Sequence, residues 1–162
     1  MHETPLGLLL LPERLERFAA REHAERLLRA PGVVAADPPA VSYATIGRLP
    51  LGFALGVAAR QAKRLERALP GAPRAVIVYE PAQAALGLAL LARAGERAEL
   101  WYAERDEDAG RHAQIHEVAE ARAALRFAPA GEHLPLIERL EALGIASGRL
   151  GSERYPGSGS GG

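Results

Sequence analysis

Cysteine is absent from the 162 residues of the chain. Its absence excludes disulfide bonds, thiolate catalysis and zinc sites of the cysteine type, and it agrees with a reducing compartment, so we expect a cytoplasmic protein. Long hydrophobic runs are also missing. The longest uncharged apolar stretch, residues 49–59, is interrupted by proline and glycine and is shorter than the roughly 20 residues that a membrane-spanning helix needs. We therefore expect no helix that crosses a bilayer.

A surplus of charge is missing as well, because 20 basic and 20 acidic side chains cancel. Without a net positive field the chain has no general attraction for nucleic acid, so we expect no nucleic-acid partner. The length suits one domain, which we assign to residues 1–150. Residues 151–162, which include "YPGSGSGG", hold too few apolar side chains to fold and predict a flexible tail.

Three sequence motifs that mark common enzyme classes do not occur at their expected places. The segment after the first apolar run, "LLPERLERF", contains neither G-x-G-x-x-G nor G-K-[ST], whose glycines let the backbone approach a phosphate. No G-x-S-x-G elbow presents a serine nucleophile. These observations disfavour dehydrogenase, kinase and hydrolase functions, and we predict no bound cofactor.

What the chain does contain is an alternation of short apolar runs with segments of helical period. The runs are "LGLLLL", "GVVAAD", "RAVIVY", "AELWYA" and "ALRFA", with "IASGRL" as a candidate sixth strand. Helical periodicity is present in "PERLERFAAREHAERLLRA", residues 12–30, and further helices are predicted at residues 53–69, 82–94, 107–121 and 132–143. Continuously apolar strands between helices indicate a parallel sheet that is covered on both faces. We therefore predict an α/β, doubly wound, mostly parallel Rossmann-like sheet with helices on both faces and the first strand central.

In such a sheet ligands bind beyond the carboxyl ends of the strands, so polar residues that follow the apolar runs are candidate site residues. Glu80 directly follows "VIVY" and precedes Pro81, where its carboxylate would either cap the next helix or contact a ligand. Asp37 is interpreted first as a turn former and Asp106 as a helix cap. The full set of candidates is Glu13, Arg14, Asp37, Ser42, Tyr43, Glu80, Glu104, Arg105 and Asp106.

Two further patterns lie on predicted helices. His112 and His116 are four residues apart and could face one ion, but the pattern is not H-E-x-x-H and too few ligands are close in sequence, so we predict no metal site. A second helix carries Arg60, Lys63, Arg64 and Arg67 at helical spacing. This stripe is either an ordinary solvated face or a contact for anionic lipid or phosphate, which makes peripheral membrane contact a candidate partnership.

The span from "VIVYEPAQAALGLALLARAGERAELWYAERDED" to "AALRFAPAGEHLPLIERLEALGIASGRL", residues 74–150, resembles the second half of the N-terminal Rossmann-like domain of GT-B glycosyltransferases. In that family a strand is followed by a polar residue and an apolar helix, and then by a strand that ends near an acidic or histidine residue. Where the family usually has a glycine-containing loop after the first strand and a serine before a later helix, this chain has "PERLERF" and "PAGEH".

The resemblance implies the acceptor-side half of a glycosyltransferase, which would transfer sugar only with a donor-binding domain supplied in trans. It also implies that Glu80 or Asp106 acts as the base toward the acceptor hydroxyl. The residues that we expect to contact the acceptor or another surface are Arg14 and Tyr43, which follow apolar runs, and the four helical cations Arg60, Lys63, Arg64 and Arg67. The competing hypothesis is a non-catalytic Rossmann-like interaction module that docks a protein or an anionic membrane surface.

Overall fold

The computed structural model describes residues 4–12, 18–36, 49–105 and 110–145. Within these ranges strands alternate with helices. The strands are β1 (Pro5–Leu9), β2 (Val33–Ala35), β3 (Ala72–Val78), β4 (Glu99–Ala103) and β5 (Ala123–Phe127). The α-helices are α1 (Phe18–Leu27), α2 (Leu51–Ala68), α3 (Ala84–Ala94), α4 (Ala113–Arg122) and α5 (Leu134–Ala142). Single 3₁₀ turns, Pro81–Gln83 and Gly110–His112, lead into α3 and α4.

The strands form one parallel sheet in the order β2-β1-β3-β4-β5. Leu8 of β1 pairs with Val34 on one side and with Val76 on the other. The predicted α/β class and parallel Rossmann-like sheet are thus confirmed. The expectation that the first strand is central is wrong, because β1 lies second from one edge of the sheet and β3 occupies the middle position.

Helices cover both faces of the sheet, which explains why the strands are apolar at consecutive positions. Val76 and Val78 of β3 pack in a core with α2, α3 and α4. Their neighbours Ala75 and Ile77 point the opposite way and pack in a second core with α1 and α5. Because successive side chains of a strand alternate between faces, burial on both sides requires an apolar residue at every position.

The contact between α3 and β3 depends on a glycine. A Cβ atom added at Gly87 would lie 2.5 Å from Cγ2 of Val78, a distance that real Cβ atoms do not adopt. The missing side chain therefore allows α3 to approach the middle strand closely. This approach positions the Tyr79–Gln83 segment, which joins the two elements, against the sheet.

The predicted helices correspond to α1, α2, α3, α4 and α5, with ends that shift by several residues. For example, α4 begins at Ala113 and not near residue 107. The candidate strand "IASGRL" after Ile145 and the predicted tail, residues 151–162, lie outside the described residues. Among the described helices none is both long enough and apolar enough to span a membrane.

Candidate functional site

The carboxyl edge of the sheet contains a topological switch point between β1 and β3. From β1 the chain crosses through α1 to β2 on one side, and the chain that enters β3 comes from α2 on the opposite face. The helices that follow these two strands also pack on opposite faces of the sheet, α1 after β1 and α3 after β3. In open parallel sheets the ligand-binding crevice lies at a switch point of this kind. Polar groups in the loops after β1 and β3 are therefore the first candidates for a binding site.

Glu80 lies in this place, two residues beyond the end of β3, and its side chain is only 2 % exposed. It occupies the N-cap position of the Pro81–Gln83 turn with an extended backbone, and its carbonyl oxygen accepts a hydrogen bond of 2.9 Å from the Gln83 amide. Its carboxylate makes no capping hydrogen bond. The carboxylate therefore does not cap the helix as expected, but Glu80 does lie at the carboxyl edge of the sheet as expected.

Gln83 connects the two loops that flank the switch point, and the sequence analysis missed it. Its side chain is fully buried. The Oε1 atom accepts a hydrogen bond of 3.2 Å from the Tyr79 amide, and Nε2 donates one of 2.5 Å to the Leu11 carbonyl. Gln83 thus holds the loop after β1 against the loop after β3. The available signal was one amide side chain at the start of the otherwise apolar segment "AQAALGLALL".

A buried aromatic and histidine cluster lies on the other face of the same edge. Nδ1 of His23, on α1, is 2.7 Å from the Tyr79 hydroxyl, which follows β3. The His23 ring stacks on His133 at a centroid distance of 4.0 Å and on Phe127 at 5.1 Å. Nε2 of His133 lies 3.1 Å from the His23 carbonyl. The cluster therefore joins α1 and the start of α5 to the ends of β3 and β5.

Burial determines the protonation of two members of this cluster, His23 and Tyr79. Burial, followed by the nearby His133 and Arg26, lowers the pKa of His23 from 6.5 to about 4. Burial also raises the pKa of the Tyr79 hydroxyl far above its usual range. Both groups are consequently neutral near pH 7. A Tyr79 hydroxyl that donates to Nδ1 leaves a proton on Nε2, for which the structure shows no hydrogen-bond partner in the part of the chain it describes.

The sequence contained a signal for His23, although no motif marked it. His23 lies three residues after Ala20 and four before Leu27, so all three share one helical face. That face is the buried one. A histidine at this position is therefore expected in the core, but its partners come from remote segments that no local pattern indicates.

His116, one of the two histidines that lie four residues apart in the sequence, is bound by other side chains of the protein. Nδ1 of His116 lies 2.7 Å from the buried Tyr102 hydroxyl, and its Nε2 lies 3.4 Å from the Glu120 carboxylate. Arg126 completes this network by pairing with Glu120 at 2.9 Å and by donating to the Tyr102 carbonyl at 2.8 Å. His116 thus uses both ring nitrogens within the protein. No group of three or more metal-ligating side chains occurs among the described residues.

The four cations predicted to form a stripe all lie on α2 and are exposed: Arg60, Lys63, Arg64 and Arg67. The opposite side of the helix, with Ala54, Ala58, Ala62 and Leu65, is buried against the sheet. The stripe is therefore on the outer surface of the domain.

Several predicted site residues lie outside the part of the chain that the structure describes. They are Glu13, Arg14, Asp37, Ser42, Tyr43 and Asp106. Of the remaining candidates, Glu104 follows β4 and is exposed, and its neighbour Arg105 is half-buried. Glu80 and Glu104 follow adjacent strands at the same edge of the sheet.

Comparison of the chain with protein families, with individual characterised proteins and with solved structures gives no significant match. The resemblance of residues 74–150 to GT-B glycosyltransferases therefore stays a hypothesis.

Proposed function

We propose that this chain is an acceptor-side domain of the GT-B type, which takes part in sugar transfer together with a donor-binding domain. The observation that carries the proposal is the position of Glu80, a carboxylate at the β1/β3 switch point of a fully parallel sheet. In open sheets of this kind ligands bind in the crevice at the switch point. A carboxylate at that place suits a general base that accepts the proton of an acceptor hydroxyl.

Gln83 supports the proposal because it fixes the backbone beside Glu80. Its two hydrogen bonds connect Leu11, just after β1, with Tyr79, just after β3. A general base contributes only when it lies within hydrogen-bond reach of the proton it accepts. A buried bridge of this kind restricts the position of the neighbouring Glu80 backbone, to which Gln83 is also bonded.

The test measures sugar transfer from a nucleotide sugar by the chain alone and by the chain mixed with a separately produced GT-B donor-binding domain. We expect no transfer by the chain alone, because most of the rate enhancement in such a reaction comes from bringing donor and acceptor together. The Glu80→Gln variant keeps the shape of the side chain and should reduce transfer by the mixture at least about a hundredfold.

The matched control is Glu117→Gln, which removes an exposed carboxylate on α4. This variant should transfer sugar at the rate of the natural chain. Turnover by the isolated chain would contradict its assignment as an acceptor-side domain. Equal rates for Glu80→Gln and the natural chain would remove Glu80 as the base.

A second candidate function is a non-catalytic Rossmann-like module that docks a protein or an anionic membrane surface. The observation that favours it is the stripe of four exposed cations on α2. The genomic neighbourhood separates the two candidates. An adjacent reading frame for a nucleotide-sugar-binding domain favours the glycosyltransferase, and its absence favours the docking module.

A further inference from the structure

The outer face of α2 carries positive charge that the rest of the described protein does not neutralise. None of its four cations, Arg60, Lys63, Arg64 and Arg67, forms an ion pair with a residue in the described ranges. The helix has one acidic residue, Glu66, and this residue pairs with Arg93 of α3 at 2.7 Å. Glu66 therefore pairs with α3 and does not neutralise the four cations of the stripe.

The same helix face exposes a large apolar side chain. Phe53 is 70 % exposed, the highest value among the large exposed hydrophobic side chains of the described residues. It lies seven residues before Arg60, which places the two on one line along the helix, two turns apart. A Cβ atom added at Gly52 or at Gly56, on either side of it, would meet no atom of the described residues within 4 Å apart from its own neighbouring chain. Phe53 therefore projects from a part of the helix that no other described segment covers.

We propose that α2 is a peripheral docking surface for an anionic lipid bilayer. Phe53 enters the headgroup layer, and the four cations meet the lipid phosphates and carboxylates. The inference deepens the second candidate function by naming its partner, and it involves neither Glu80 nor sugar transfer.

Two features favour a bilayer over an acidic protein as the partner. The surface is a single convex helix, whereas recognition of a protein depends on shape complementarity around well-packed anchor residues. An aromatic side chain beside a row of basic residues is instead the pattern of surfaces that lie in the membrane interface. Because the whole chain has a formal net charge of zero, attraction to an anionic surface would come from this local stripe and not from a general positive field.

The experiment is cosedimentation of the full chain with two kinds of vesicle, one of phosphatidylcholine alone and one of phosphatidylcholine with phosphatidylserine. We expect the chain to pellet only with the anionic vesicles, and the bound fraction to fall as salt is added. Replacing the four cations together by Gln should weaken binding several hundredfold, since each basic residue near an anionic surface contributes about fivefold. Phe53→Ser should weaken it about tenfold without changing the charge.

Two control variants remove the same chemistry from other places. Replacing Arg29, Arg74, Arg97 and Arg122 by Gln removes an equal charge from outside α2, and Leu134→Ser removes an exposed apolar side chain from α5. Both should bind as the natural chain does. Circular dichroism of each variant confirms that it remains folded.

Three results would overturn the proposal. In the first, the folded natural chain does not pellet with anionic vesicles at low salt. In the second, the variant without the four α2 cations and the variant without four arginines elsewhere lose vesicle binding equally, which would mean that the net charge of the protein determines binding. In the third, the chain is retained on immobilised heparin through α2 but does not bind vesicles, which would indicate a lipid-free polyanionic partner. None of these outcomes bears on the sugar-transfer test, because Glu80 is unchanged throughout.

Discussion

Acidification should destabilise this protein through one buried histidine. His23 is 2 % exposed and stacks between His133 and Phe127, where an imidazolium would lose its hydration and face a second histidine. Its pKa is accordingly lowered from 6.5 to about 4. Folding therefore favours the neutral ring, whereas the unfolded chain takes up a proton already near its ordinary pKa.

The magnitude follows from the two pKa values. Above about pH 6.5 both states hold a neutral ring, and the full stability is present. As the pH falls toward 4 the unfolded state gains a proton that the folded state resists, so stability is lost through this interval. With values of 6.5 and about 4, the loss between about pH 8 and about pH 5 is about 2 kcal/mol. That is a large share of the 5–15 kcal/mol by which domains are typically stable.

The assay is urea unfolding of the natural chain and of the His23→Gln variant over this pH interval. The variant should be less stable at every pH because it loses the stacked ring, but its stability should fall about 2 kcal/mol less between the two pH values. The carboxylates contribute the same background to both proteins, so the difference isolates His23. Parallel pH profiles for the two proteins would refute a depressed pKa at this position.

Two further predictions concern packing and the crevice. Gly87→Ala should lower the free energy of unfolding by about 1–3 kcal/mol, because the added methyl group overlaps the Val78 side chain. The matched Gly56→Ala lies on an open helix surface and should raise the free energy of unfolding by about 0.5–1 kcal/mol. Equal effects of the two changes in thermal unfolding would contradict the close approach of α3 to β3. Gln83→Ala should lower the free energy of unfolding by about 2–4 kcal/mol, because it leaves the Tyr79 amide and the Leu11 carbonyl without their hydrogen-bond partner. If urea unfolding places the variant within about 0.5 kcal/mol of the natural chain, the Gln83 bridge is not needed for stability.

The candidate site was only partly accessible from the sequence, for identifiable reasons. Glu80 was found because a carboxylate that follows a buried strand is a local pattern. Gln83 was missed because its partner Leu11 lies 72 residues away, so its role as a bridge has no local expression. The same holds for His23, whose contact with Tyr79 spans 56 residues. The spacing of His112 and His116 was also a local pattern. It did not indicate that His116 contacts Tyr102 and Glu120, because the contact with Tyr102 depends on how α4 packs on β4.

The sequence by itself determined the class of this protein, because a run such as "VIVY" can be buried at every position only in a sheet covered on both faces. It also determined where the helices lie and that α2 has a cationic outer side, since helical periodicity is a property of neighbouring residues. The order of the strands was decided only in three dimensions, because each strand is apolar enough to pair with any other. The tertiary structure likewise decided that Glu80 lies at a switch point, that Gln83 joins two loops and that His23 is enclosed by aromatic rings. Each of these depends on contacts between distant segments, which exist only once the crossovers have placed β1, β3 and β5 in one sheet.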